Sequence, residues 1–152
     1  MSLFTPEQAE EIRQHFEKNL TDPVEVIHFT QAASPLLVPG RHDCQYCTET
    51  RELLEEVATF TDKIDLTVYD LVADADKAKE HGVDAVPVTI VRSPHVAGGM
   101  RYWGVPSGYE FAVIVSDLVD ASRAEADLQP ETVTKLAELT GDVNIKVFVT
   151  PT

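Results

Sequence analysis

The chain has 152 residues, enough for one domain or a domain with an appendage, and its 43% hydrophobic and 25% charged residues exclude disordered, collagenous and low-complexity chains. A net charge of −14 repels phosphate backbones and anionic membranes, so neither nucleic acid nor a membrane is expected as a partner. No apolar run approaches a membrane span of about 20 residues, and the first residues lack the basic and apolar regions of a signal peptide, so a cytoplasmic location is expected.

The first helix is announced by Thr5 as N-cap, Pro6 at the first helical position and Gln8 at the third, a capping-box pattern. Ala9, Ile12, Phe16 and Leu20 then recur at helical spacing, and Asp22-Pro23 ends the run. Residues 24–29, rich in β-branched side chains, read as a buried strand. Residues 30–43 read as a loop around Pro35, Pro39 and Gly40, with an unusually apolar Leu36-Leu37-Val38 inside it. A helix is expected from about 44 to 60, with Leu53, Val57 and Phe60 on one face and Leu54 beside it. Residues 64–69 alternate as a strand, and 73–80 form a short helix closed by Gly82. Residues 86–91 form a strand opened by Pro87, 93–99 turn the chain, and 100–103 return antiparallel, with Tyr102 and Trp103 read as core or hairpin packing in preference to a binding platform. A long helix follows from Gly108 to about Ala124, with Phe111, Ile114, Val115, Leu118 and Val119 as its apolar stripe. This order predicts an α/β fold, a central mixed sheet flanked by helices on both faces.

Beyond Asp127 the pattern starts again. Leu128-Gln129-Pro130-Glu131 echoes Phe4-Thr5-Pro6-Glu7, and residues 139–148 echo 20–29 in their Leu-Thr and strand-like order. The expectation is one unit over 1–126 and, over 127–152, the opening helix and strand of a partial second unit. A C-terminal helix and strand completing a single domain is the alternative. An unpaired apolar strand at 143–149 would invite pairing with another chain, hence an expected homodimer through it.

The two cysteines, Cys44 and Cys47, stand two residues apart at a loop-to-helix junction. A thiol there meets unpaired amide donors and the positive end of the helix dipole, both of which favour the thiolate, the form that attacks disulfides. Cys44 is the expected nucleophile, and Cys47, one turn further in, the resolving cysteine. In a cytosolic α/β pattern this spacing reads as a thioredoxin-like redox motif that needs no cofactor. Two other readings stay open. Zinc would need two more ligands, which His15, His28, His42, His81 and His95 do not offer at ligand spacing, and an inert disulfide in so short a loop would constrain the unfolded chain little. The rival of another class is a non-catalytic module that binds a metal or docks a partner protein.

Three neighbours are candidates to tune the pair. A charged His42 would favour the thiolate, the more ordinary reading being a solvated loop histidine, and Asp43 would oppose it if its carboxylate is close. Glu56 falls three residues after Leu53 and four before Phe60, on the apolar stripe, where desolvation would raise its pKa and suit it to proton transfer with Cys47. The alternative is a carboxylate at the stripe's edge that reaches water.

Asp43-Cys44-Gln45-Tyr46-Cys47, Ala85-Val86-Pro87 and above all Arg101-Tyr102-Trp103-Gly104-Val105-Pro106-Ser107-Gly108-Tyr109-Glu110-Phe111 resemble the glutaredoxin-like protein disulfide oxidoreductases, a prokaryotic family of two tandem thioredoxin-fold units. The resemblance implies a thioredoxin-like fold and dithiol–disulfide exchange with protein substrates. It also implies a cis Pro87 against the disulfide, and a substrate groove lined by Val86, Pro87, Gln45 and Tyr46 in which the Val86 backbone pairs with an extended segment. Glu56 would match the family's acidic residue, and the partners would be protein thiols and an electron donor of thioredoxin-reductase type. The chain departs from the family in a longer 30–41 loop and in having no second Cys-x-x-Cys. Val86 also stands where glutaredoxins carry Thr, which argues against glutathione.

Overall fold

In the computed structural model, which describes residues 2–32, 44–124 and 128–149, nine elements follow one another along the chain. They are α1 (Pro6–Asn19), β1 (Val24–Thr30), α2 (Cys47–Ala58), β2 (Ile64–Asp70), α3 (Ala75–Glu80), β3 (Val88–Ser93), β4 (Val96–Trp103), α4 (Tyr109–Ala121) and α5 (Pro130–Ala137).

The four strands form one sheet in the order β2-β1-β3-β4, with β1 parallel to β2 and antiparallel to β3, and β3 antiparallel to β4. The parallel pair requires a crossover, which α2 supplies; the β3–β4 pair needs only the short turn at Pro94-His95. β1 lies between two neighbours and Glu25 is its one exposed residue, which explains the nearly continuous apolar run in its sequence. Alternation sends Val24 and Val26 to a large core shared with Phe16 of α1, Val57 of α2 and Leu118 of α4. It sends Ile27 and Phe29 to a second core with Ala78 of α3. Helices therefore cover both faces, as expected.

α1 carries the capping box read from its sequence: Thr5 N–H donates to Gln8 Oε1 at 2.9 Å, and Gln8 N–H to Thr5 Oγ1 at 3.3 Å. Ala9, Phe16 and Leu20 are buried, and enclosing Phe16 completely contributes about 1.5–3 kcal/mol.

Three expectations need correction. Residues 96–99, expected as turn, belong to β4. Glycine is a weak strand residue and invites a turn reading, but here Gly99 (φ +72°) lies beside a register irregularity between Val91 and Ser93, a bulge that only a residue without a side chain fits easily. α2 begins at Cys47 instead of Cys44, because the Tyr46 carbonyl is the first to accept a helical bond, from Thr50 N–H at 3.0 Å. No strand forms over 143–149, and every described residue from 128 to 149 is exposed. A strand is held by a hydrogen-bonded neighbour, and that apolar segment has none among the described residues. The helix of the second half, α5, does form, with Pro130 at its first position as Pro6 is in α1.

Candidate functional site

Cys44, just ahead of α2, and Cys47, its first residue, come together at the C-terminal end of β1. Cys44 and Cys47 form a disulfide with an S–S distance of 2.05 Å and Cα atoms 5.5 Å apart. Cys44 is half-buried, Gln45 and Tyr46 between them are exposed, and Cys47 keeps 1% of its surface. One sulfur-bearing residue thus faces outward and the other lies on the buried stripe of α2 with Thr50, Leu54 and Val57. Tyr46, the N-cap, provides no side-chain hydrogen bond, so no cap competes for the first amides of α2, which lend their partial positive charge to the sulfur atoms beside them. Thr30, the last residue of β1, points its hydroxyl at the Cys47 carbonyl at 3.5 Å and joins strand to helix beneath the pair.

The Val86–Pro87 bond is cis. Pro87 is buried and Val86 half-buried, and β3 begins one residue later than the proline, at Val88, so Pro87 precedes the strand. The Pro87 carbonyl accepts a hydrogen bond from Gly104 N–H at 3.0 Å, and Trp103 stands opposite Val88 in the β3–β4 register. Tyr102 packs as expected: it is half-buried and its hydroxyl donates to the Asp117 carboxylate of α4. Burial and that carboxylate push its ionisation far above the usual tyrosine range. Trp103 does not pack as expected. Successive strand residues face opposite ways, and Trp103 is directed away from α4 with 61% of its surface exposed.

Glu56 is not desolvated. It lies in the last turn of α2, nine residues from Cys47, and its carboxylate accepts hydrogen bonds from the Ser2 hydroxyl and from Leu3 N–H at 2.7 Å. The Ser2 hydroxyl and then the Leu3 amide hold its carboxyl below the usual carboxylate range, the reverse of the expected direction. The helical wheel puts Glu56 on the apolar stripe, but the segment leading into α1, invisible to a wheel of α2, meets its carboxylate there with a hydroxyl and an amide. His42, Asp43 and the apolar Leu36-Leu37-Val38 fall outside the described residues.

One residue of the site's surroundings was missed. His28 lies on the same face of β1 as Val24, Val26 and Thr30 and has no exposed surface. The signal was present: a titratable side chain on the alternation of a strand whose other members on that face are apolar or small.

Residues 37–116 match the thioredoxin domain family. The chain is 35% identical over 75 residues to a protein described as a probable thioredoxin of Methanothermobacter thermautotrophicus, covering 49% of this chain and 82% of that protein. It is 32% identical over 78 residues to a probable thioredoxin of Methanothermobacter marburgensis, covering 51% and 86%. Among solved structures it resembles a protein disulfide oxidoreductase from Aeropyrum pernix with a TM-score of 0.73 at 24% identity, over 90% of this chain and 56% of that one. It resembles the alkylhydroperoxide reductase AhpF of Enterococcus faecalis with a TM-score of 0.70 at 19% identity, over 91% of this chain and 62% of that one. This chain spans less than two thirds of either structure's length, and these two likenesses are of fold.

Proposed function

The chain belongs to the thioredoxin domain family, and from that premise we propose that it is a thiol–disulfide oxidoreductase that exchanges its Cys44–Cys47 pair with protein disulfides. The observation that carries the proposal is the asymmetry of the pair, with Cys44 partly open to a partner and Cys47 enclosed.

In the reduced chain, the Cys44 thiolate attacks one sulfur of a substrate disulfide; the new Cys44–substrate bond forms as the substrate's own S–S bond breaks, and the first substrate sulfur leaves as thiolate. Cys47, as thiolate, then attacks Cys44 Sγ. The intrachain disulfide forms, the mixed disulfide breaks, and the second substrate sulfur leaves. The substrate gains two electrons and the pair loses two. The amides at the start of α2 favour the Cys44 thiolate at each stage. In this reading Gln45, Tyr46, Val86 and Pro87 form the border of the substrate groove beside Cys44, and the Val86 backbone is where an extended substrate segment would add as a strand. Trp103, opposite Val88, extends that border with an exposed aromatic face. A dithiol donor of thioredoxin-reductase type returns the pair to the reduced state. Residues 127–152 open a second unit of the same kind, a reading supported by the matching proline-led starts of α1 and α5.

The test is the reduction of insulin disulfides by dithiothreitol. Catalytic amounts of the wild-type chain should accelerate it, and Cys44→Ser should not; equal acceleration by both would contradict the proposal.

A further inference from the structure

Residues 128–149 present an apolar surface that the single chain does not cover. Every residue there is exposed, and Ile145 and Phe148 keep 82% and 91% of their surface. By the sequence echo, Val143, Ile145 and Phe148 stand where β1 has Val24, Val26 and Phe29, and all three of those are enclosed. The segment has the side chains of an inner strand and lacks the sheet that would take them.

The sheet offers an edge that matches it. β2 is the last strand on its side, and its outer edge has no neighbour among the described residues. The opposite edge, β4, is blunted by Gly98-Gly99 and by the register irregularity at Val91 and Ser93. β2 runs seven residues in unbroken register with β1 and contains no glycine, proline or lysine, the usual guards of an edge. Its Leu66, Val68 and Tyr69 are only half-buried, as side chains flanked by a strand on one side alone are.

Residues 143–149 are also seven in number. With the two strands fully overlapped, in either direction, Val143, Ile145, Val147 and Val149 fall on the face of Ile64, Leu66 and Val68, the side of the large core. Asn144, Lys146 and Phe148 fall on the face of Asp65, Thr67 and Tyr69. Lys146, the only charge in the segment, then lies opposite Thr67 and diagonal to Asp65, about 7–8 Å away and within reach of a long side chain. Asp65 lacks such a cation: its register partner on β1 is Glu25, a second carboxylate, and it has no ion-pair partner among the described residues. Arg92 flanks Glu25 from β3, so Lys146 would complete a row with cations outside and carboxylates within.

The charges also select the occupant. The chain carries −14, so two copies repel across most of their surfaces, but residues 128–149 hold Lys135 and Lys146 against Glu131, Glu138 and Asp142 and are nearly neutral. The chain's own segment is not paired with its own β2. We propose that residues 143–149 of one copy add as a fifth strand to the outer edge of β2 in a second copy, and reciprocally, giving a twofold dimer. Each segment gains the backbone partners it lacks, and each exposed β2 edge is closed.

The test is sedimentation equilibrium of the full chain, with the Cys44–Cys47 disulfide closed so that no free thiol links two copies. The wild type should reach twice the 16.8 kDa of one chain as its concentration rises through the micromolar range, and a monomer throughout would overturn the proposal. Ile145→Asp, at an exposed position where folding is not at risk, should be monomeric; an unchanged dimer would place the contact elsewhere and overturn it. Lys146→Glu and Asp65→Lys should each weaken the homodimer by about fivefold or more, while an equimolar mixture of the two restores a mixed dimer of wild-type strength. A mixture that stays monomeric would mean that the segments pair with each other or with another surface, and the β2 edge would be wrong. A monomeric wild type in which Ile145→Asp still speeds hydrogen exchange in β2 would mean that the chain's own segment closes the edge, and would equally overturn the dimer.

Discussion

His28 and Thr89 stand directly opposite each other in the register of β1 and β3, imidazole Nδ1 to hydroxyl at 3.1 Å, and neither side chain reaches solvent. Desolvation lowers the imidazole from an ordinary value of 6.5 to about 4. Between these values the unfolded chain binds a proton that the folded chain refuses. The contribution is therefore complete above 6.5, falls as the pH drops, and levels off below about 4. The shift corresponds to about 3 kcal/mol. Urea unfolding of the wild type and His28→Asn at pH 7 and pH 4 should show the wild type losing about 3 kcal/mol more than the variant. Parallel losses would contradict it.

Ser122, at the end of α4, ties that helix to the entry of β1. Its hydroxyl accepts Thr21 N–H at 3.1 Å and donates to the Val119 carbonyl at 2.6 Å, while its own carbonyl accepts Asp22 N–H at 3.1 Å. Ser122→Ala strands the Thr21 amide and should lower stability by about 1–3 kcal/mol in denaturant melts. Turnover of insulin should not change, because this contact lies at the opposite end of β1 from the disulfide.

Glu56 anchors the leading segment through Ser2 and Leu3 at an exposed edge, so Glu56→Gln should cost less than about 1 kcal/mol and leave turnover and its pH profile intact. A tenfold loss of turnover with an unchanged melt would restore Glu56 as a proton carrier.

Trp103 is 61% exposed beside Val88 and the Pro87–Gly104 bond. As a border of the substrate groove it should contribute more than about 1 kcal/mol to protein binding, a rise in KM of roughly fivefold or more for Trp103→Ala. Reaction with a small aromatic disulfide and thermal stability, within about 0.5 kcal/mol, should be unaffected. An equal change for both substrates would remove Trp103 from the groove.

The elements that proved legible were those written in short-range chemistry. Thr5, Pro6 and Gln8 define a helix start within four residues, and the apolar face of α1 follows from spacing alone. Cys44 and Cys47 announce a pair by their separation. What depended on distant chain was harder to read. Gly98 and Gly99 look like a turn until β3 is placed beside them, and residues 143–149 look like a strand until a partner strand is sought. Glu56 looks desolvated on the wheel of α2 until the segment before α1 is brought to it. His28 and Trp103 were visible as letters, but their burial and exposure are properties of the two faces of a folded sheet.

The measurement that bears most directly on the central claim is covalent trapping. Reduced Cys47→Ser and Cys44→Ser chains are each mixed with a disulfide-bonded protein, and the mixed disulfides are separated without reductant and weighed by mass spectrometry. Cys47→Ser should accumulate a Cys44-linked adduct, and Cys44→Ser should accumulate little or none. Equal adducts from both, or none from Cys47→Ser, would contradict an exchange led by Cys44 and resolved by Cys47.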